Sequence, residues 1–215
     1  DGSLWAWGSN GAGQLGDGTT TTRTLPTPVL PGVTAMAAGL EHTLALTDDG
    51  SLWAWGDNLV GQLGDGTTTS RYRPTQILSG IAATAAGYEH SLALKTDGSL
   101  WAWGWNASGQ IGDGTTADRH TPTQILAGIA AMAAGYQHSL ALETDGSLWA
   151  WGYNPYGQVG DGTLTTRTTP TSVLDGVVSL AAGFYHTLAL KADGSLWAWG
   201  REDNGALADC TTSNR

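Results

Sequence analysis

The octapeptide Asp-Gly-Ser-Leu-Trp-Ala-Trp-Gly that begins at Asp1 returns at Asp49, Asp97, Asp145 and Asp193, a spacing of 48 residues. A period of this length marks a repeat architecture, in which one small unit buries its apolar faces against copies of itself. Within residues 1–48 the apolar runs Ser3–Gly8, Pro26–Leu30, Val33–Gly39 and His42–Leu46 are separated by clusters of Gly, Asn, Asp, Thr and Pro. None carries the 3.6-residue period of an amphipathic helix, and their length and flanks suit strands. Four short strands in a unit of this size predict a propeller blade. The fold class is therefore all-β, a β-propeller of four-stranded antiparallel blades. The chain reads as a single propeller or propeller segment over 1–215, with repeats at 1–48, 49–96, 97–144 and 145–192 and a partial fifth at 193–215.

The paired tryptophans follow from that architecture. On a strand, Trp5 and Trp7 leave from one face and Ala6 from the other, so the bulky side of one blade can lean on the flatter side of its neighbour. This predicts that Trp5, Trp53, Trp101, Trp149 and Trp197 are largely buried. The alanine-rich runs ending at Gly39, Gly87, Gly135 and Gly183 suit the strand nearest the axis, where blades converge. Asp49-Gly50, Asp97-Gly98, Asp145-Gly146 and Asp193-Gly194 predict tight hairpins into the tryptophan strands.

These residues resemble a known family. Ala38-Gly39, His42 to Leu46, Asp49-Gly50, Leu52 to Gly56, Asn58 and Gly61 to Gly64 are similar to the regulator of chromosome condensation repeat, across four units and part of a fifth. The resemblance, to tandem repeats of the bacterial type, implies a propeller most often of seven blades, which at this spacing needs about 336 residues. It also implies a range of roles, from nucleotide exchange to ubiquitin-ligase modules and secreted inhibitors, so it selects no single function. The chain is accordingly expected to be part of a larger ring, closed by further repeats or another chain. In the fifth copy Glu202 replaces the asparagine, Ala206 the glutamine, and Ala208 and Cys210 two glycines.

Composition excludes some partners. With 19 acidic against 9 basic residues and a net charge of −10, the chain lacks the electrostatic footprint of a nucleic-acid binder. The acidic residues are spread over the repeats without a run, which reads as solubility. No stretch reaches 18 apolar residues, so no membrane insertion is expected. One cysteine, Cys210, permits no intrachain disulfide. That fits a reducing compartment or an exported bacterial protein, and an extracellular or cell-surface location is favoured over the cytoplasm. Asn106-Ala107-Ser108 matches the glycosylation sequon.

His42, His90, His138 and His186 recur once per unit and could ring a metal on the axis, but their place at the start of a core strand predicts hydrogen bonds to the next blade instead. His120 falls outside this register and is expected at the surface. Asp17, Asp65, Asp113 and Asp161 offer one carboxylate per loop, too few for calcium, and each lies six residues before an arginine, as does Asp209 before Arg215. A structural loop clamp is expected. No cofactor or metal is expected, and the sequence holds no nucleophile, zinc-protease or P-loop motif, so the chain is read as no enzyme.

Positions where the repeats disagree are free of the common packing task. One variable set follows Gly39 and its equivalents: Leu40-Glu41, Tyr88-Glu89, Tyr136-Gln137 and Phe184-Tyr185. A second flanks the loop asparagine and includes Ser9, Asp57, Trp105, Tyr153 and Tyr156; a third surrounds the loop arginine. In an up-and-down blade the first two sets open on the same side. Tyr88, Trp105, Tyr136, Tyr153, Tyr156, Phe184 and Tyr185 are therefore the candidate partner-binding residues, of the type that anchors interfaces. The functional expectation is a non-catalytic protein-binding scaffold with an unidentified protein partner. The alternatives are an exported structural or adhesive scaffold without a specific ligand on that face, and, lower, a propeller enzyme.

Overall fold

A computed structural model describes residues 2–202 and 207. The described residues form strands only: β1 (Leu4–Gly8), β2 (Arg23–Leu30), β3 (Val33–Ala38), β4 (His42–Thr47), β5 (Leu52–Gly56), β6 (Arg71–Leu78), β7 (Ile81–Ala86), β8 (His90–Lys95), β9 (Leu100–Gly104), β10 (Arg119–Leu126), β11 (Ile129–Ala134), β12 (His138–Glu143), β13 (Leu148–Gly152), β14 (Arg167–Leu174), β15 (Val177–Ala182), β16 (His186–Lys191) and β17 (Leu196–Gly200). They are arranged as three complete antiparallel four-stranded sheets, β3–β6, β7–β10 and β11–β14, flanked by a two-stranded sheet, β1–β2, and a three-stranded one, β15–β17. Each complete sheet takes its two inner strands from one 48-residue repeat and its two outer strands from the next.

Sequence explains each position. The alanine-rich strands β3, β7, β11 and β15 lie side by side at the axis, where only small side chains leave room for neighbouring backbones. A Cβ on Gly39 would come within 2.8 Å of the Gly87 carbonyl oxygen and 2.2 Å of the His42 ring, so glycine ends the inner strand. The Asp-Gly hairpins are as expected, with Gly50 N–H donating to the Thr47 carbonyl at 2.9 Å and Asp49 Oδ1 accepting from Ser51 N–H at 2.9 Å. Pro74, Pro122 and Pro170 fall in the outermost strands, which have a free edge.

The core lies between blades. Leu44, Leu46, Leu52, Ala54 and Leu63 of the first complete blade enclose Ile81, Ala93 and Trp103 of the second, and the pattern repeats twice, ending on Trp151 and on Trp199. The tryptophan face does lean on the flatter side of the preceding blade, but its burial differs from the expectation. Trp55, Trp103 and Trp151, the second of each pair, are fully buried, whereas Trp53, Trp101 and Trp149 are only partly so. In the flanking sheets Trp5 and Trp197 are 50% and 48% exposed. The reason is that a loop of the preceding blade covers only the second ring. Gly64 sits directly on it, at φ 80° and with room for no Cβ, which would lie 2.7 Å from Trp103 Nε1.

Hydrogen bonds tie the same blades. Trp103 Nε1 and Ser91 Oγ both donate to the Gln62 carbonyl, at 2.9 and 2.8 Å, and His42 Nε2 lies 3.0 Å from Ser91 Oγ. Equivalent sets join Gln110 to Ser139 and Trp151, and Gln158 to Thr187 and Trp199. Because the Ser91 proton is committed to the carbonyl, His42 Nε2 carries the hydrogen and Nδ1 is bare. His42, His90 and His138 thus bond across blades as their position suggests. His120 is exposed, as expected.

The long loop after each tryptophan strand is held by an asparagine and an aspartate. Asn106 is fully buried; its Oδ1 accepts from Ile111 N–H at 3.0 Å and its Nδ2 donates to the Thr115 and Ala117 carbonyls at 3.1 and 2.9 Å. The sequon therefore lies on an amide that has no room for a glycan in the folded chain. The expected clamps are present as Arg23–Asp17, Arg71–Asp65, Arg119–Asp113 and Arg167–Asp161, at 2.5 to 2.6 Å. Asp209–Arg215, Ala206, Ala208 and Cys210 lie outside the described residues. Glu202 is buried and accepts from Leu207 N–H through Oε2, the bond the asparagine makes in the other loops.

Candidate partner-binding face

The loops joining β3 to β4 and β5 to β6, and their equivalents, open on one side of the blades. Backbone bonds fasten them together within each blade: Asp57 N–H donates to the Glu41 carbonyl at 2.8 Å, Trp105 to Glu89 at 2.9 Å, Tyr153 to Gln137 at 2.8 Å and Arg201 to Tyr185 at 2.9 Å. A second set runs from blade to blade around the axis. Leu40 N–H donates to the Tyr88 carbonyl at 3.0 Å, Tyr88 to Tyr136 at 3.1 Å and Tyr136 to Phe184 at 3.2 Å. The variable residues are thus carried on a rigid backbone ladder.

Six of the seven candidate residues join into one band of rings. Tyr88 and Tyr136 have centroids 4.2 Å apart, and Tyr136 stacks on Phe184 at 4.0 Å. Tyr185 meets Tyr136, Phe184, Tyr156 and Tyr153 at 5.3, 4.6, 5.1 and 5.9 Å, and Tyr153 meets Tyr156 at 6.3 Å. Trp105 stands at the position equivalent to Asp57 and Tyr153, half-buried, and makes no ring contact with the band. Leu40, Tyr88, Tyr136 and Phe184 rim an apolar recess of about 350 Å³ over the axis, with Phe184 58% exposed. The Tyr136 hydroxyl, followed by burial, raises the Tyr88 pKa, and burial first raises that of Tyr185.

Sequence reading missed the acidic side of this face. Glu41, Asp57 and Glu89 belong to the same variable sets as the rings, and Asp118 closes the β9–β10 loop, its Oδ1 accepting from Asn106 N–H at 2.9 Å. Burial raises the Glu89 pKa first, and the charges of Asp57, Glu41 and Asp118 raise it further, so the carboxylates share one region. The signal was present, in that three of the four stand at positions freed from the repeat, but charge counted over the whole chain hid it. Arg201, at the far end of the band, lies 5.0 Å over the Tyr156 ring and 5.5 Å over Tyr185.

Two profiles described as the regulator of chromosome condensation (RCC1) repeat match the sequence, one over residues 1–46, 49–94, 97–142 and 145–190, the other over 33–62, 81–110, 129–158 and 177–206. The chain belongs to the RCC1 repeat family. None of the curated protein sequences matches it. Among solved structures it is similar to yeast RCC1 (Prp20) bound to Kap60, with 26% identity and a TM-score of 0.85 over 99% of this chain and 55% of that one. It is likewise similar to Prp20p of Saccharomyces cerevisiae, in a structure described with its binding to Gsp1p and histones, with 25% identity and a TM-score of 0.84 over 99% of this chain and 57% of that one. Human WBSCR16 shares the fold, with 23% identity and a TM-score of 0.85 over 98% of this chain and 60% of that one. The chain thus spans 55 to 60% of the length of these structures. The propeller fold and the RCC1 resemblance are established by these matches.

Proposed function

We propose that this chain is a non-catalytic protein-binding module whose partner docks on the aromatic loop face. The observation that carries the reading is the continuous band from Tyr88 to Tyr156, built at positions that the common packing of the repeat leaves free. Large rings with few rotatable bonds supply much contact area at small entropic cost, and they dominate the energetics of interfaces. The similar yeast structures are described with protein partners, which supports protein binding as the class of activity and names no partner for this chain. Exchange-factor activity is not part of the proposal.

A second reading, a structural scaffold, draws support from the same rings, because they contact one another and would stabilise the rim without any ligand. A pull-down from the source organism with the intact protein and with a Trp105→Ala, Tyr136→Ala, Phe184→Ala variant separates the two. Loss of a partner at an unchanged melting temperature is the expected outcome. Retention of every partner with a melting temperature several degrees lower would make the rings structural. In either reading we propose that the ring of blades is completed by further repeats or another chain, since Trp5 and Trp7 are 50% and 60% exposed on one end sheet and Trp197 48% on the other.

A further inference from the structure

The acidic group and the aromatic band meet on one face, and their chemistries select the same ligand. Glu41 and Glu89 directly follow Leu40 and Tyr88 in the loops that rim the axial recess. Asp57 is bonded through its backbone to Glu41, and Trp105, beside which Asp118 caps the loop, to Glu89. Among the described residues the ion pairs are the four Arg–Asp clamps, which occupy the arginines at the start of the outer strands. Glu41 and Glu89 have no basic partner among those residues. Crowded carboxylates next to apolar surface oppose one another's ionisation, and a cation placed among them relieves that cost.

The other half of the face shows what such a cation does. The Arg201 guanidinium already lies over Tyr156 and Tyr185. Tyr88 precedes Glu89 in its loop and packs on Tyr136 with centroids 4.2 Å apart, and no described cation lies over either ring. A net charge of −10 adds a long-range field that attracts cations and turns away nucleic acids and acidic peptides.

We infer that the face takes a lysine- or arginine-bearing segment of a protein partner, with its cationic side chains between Glu41 and Glu89 and against the ring of Tyr88, which Tyr136 backs. The inference rests on the protein-binding reading above. Carboxylate and ring faces both favour a cation, and a flexible basic segment can lay successive side chains along the arc of loops.

The test is fluorescence anisotropy with a rhodamine-labelled heptapeptide of glycines carrying two arginines and a lysine, in about 0.15 M salt so that distant charges are screened. Glu41→Gln with Glu89→Gln, and separately Tyr136→Ala, are expected to weaken binding about tenfold or more. Asp48→Asn with Asp175→Asn removes the same charge from exposed turns on the opposite side, the β4–β5 hairpin and the β14–β15 connection, and is expected to change it less than about twofold. Equal weakening by both charge pairs would reveal undirected attraction to an acidic protein and overturn the inference, as would no binding at millimolar peptide. If the peptide fails while the triple alanine variant still loses a protein partner, the basic-segment inference falls and the protein-binding reading stands. If neither shows binding, both fall.

Discussion

The buried histidines are the residues whose chemistry departs furthest from that of the free side chain. His42, His90 and His138 are buried, donate through Nε2 and leave Nδ1 with no hydrogen-bond partner. Burial holds their pKa values down to about 4, about 3 and about 4, with the neighbouring histidines adding to the effect at His90 and His138. A histidine depressed below its unfolded value of about 6.5 binds its proton only when the chain unfolds, so its contribution to stability is complete above that pH and is lost as pH falls towards the folded value. Three such groups predict a stability falling by up to roughly 4 kcal/mol per pH unit in the middle of the window between about 6.5 and about 4. Urea denaturation at several pH values checks this, and His90→Gln should flatten the slope by about a third; a flat profile down to pH about 5 would show that the imidazoles find a proton acceptor on folding. The cross-blade role of these histidines was legible in the sequence, because each precedes a core strand. The depth of each tryptophan was not. Period two places Trp53 and Trp55 on one face, but only the loop of the preceding blade decides which ring it covers.

At the scale of the element, the loop following each tryptophan strand raises the question of which bond holds it. Asp113 accepts from Thr115 N–H at 3.0 Å, from Thr115 Oγ1 at 2.8 Å and from Arg119, and it is 8% exposed where Arg119 is 36%. Burial would raise its pKa, but the Thr115 bonds and then Arg119 outweigh it and hold the carboxyl low. The equivalent Asp17 is brought down to about 2 by its own Thr19 and Arg23 bonds in the same way, against the effect of burial. These clamps therefore weaken only in strong acid, below the window in which the histidines act. Asp113→Ala leaves buried donors unmet and should cost about 2 kcal/mol, whereas Arg119→Ala removes a partly screened charge and should cost under about 1 kcal/mol. Equal losses on urea denaturation would mean that the ion pair, and no turn hydrogen bond, sets the loop. The clamp could be read from a constant offset of six residues. The buried Asn106 could not, since a sequon describes three residues and its burial is decided by the loop that closes over it.

The whole molecule is a stack of sheets, each held mainly by its neighbours, so stability should vary along it as in other repeat proteins. The repeat announced this architecture, and the number of strands of each kind follows directly from where the 48-residue units fall. The aromatic side of one face could be read from the variable loops that open together, but its acidic part, Glu41, Asp57, Glu89 and Asp118, did not show in a charge counted over the whole chain. Burial is uneven along the stack. Strands β8 and β12 are buried at five of six positions, whereas β16 alternates and β1 has no fully buried residue. Amide protons of β8 and β12, flanked by blades on both sides, should therefore exchange most slowly, those of β16 faster, and those of β1 and β2 fastest. The order should hold for the 215-residue chain when dilute. If further repeats or another chain complete the ring, protection should rise selectively at the end sheets, β1–β2 and β15–β17, when that covering blade is present, while β8 and β12 change little. Uniform protection in the dilute chain would contradict the nearest-neighbour picture, because exposed Trp5 and Trp7 would then be no weaker an anchor than buried Trp103. Protection that rises at the ends with protein concentration alone would identify the covering blade as belonging to a second copy.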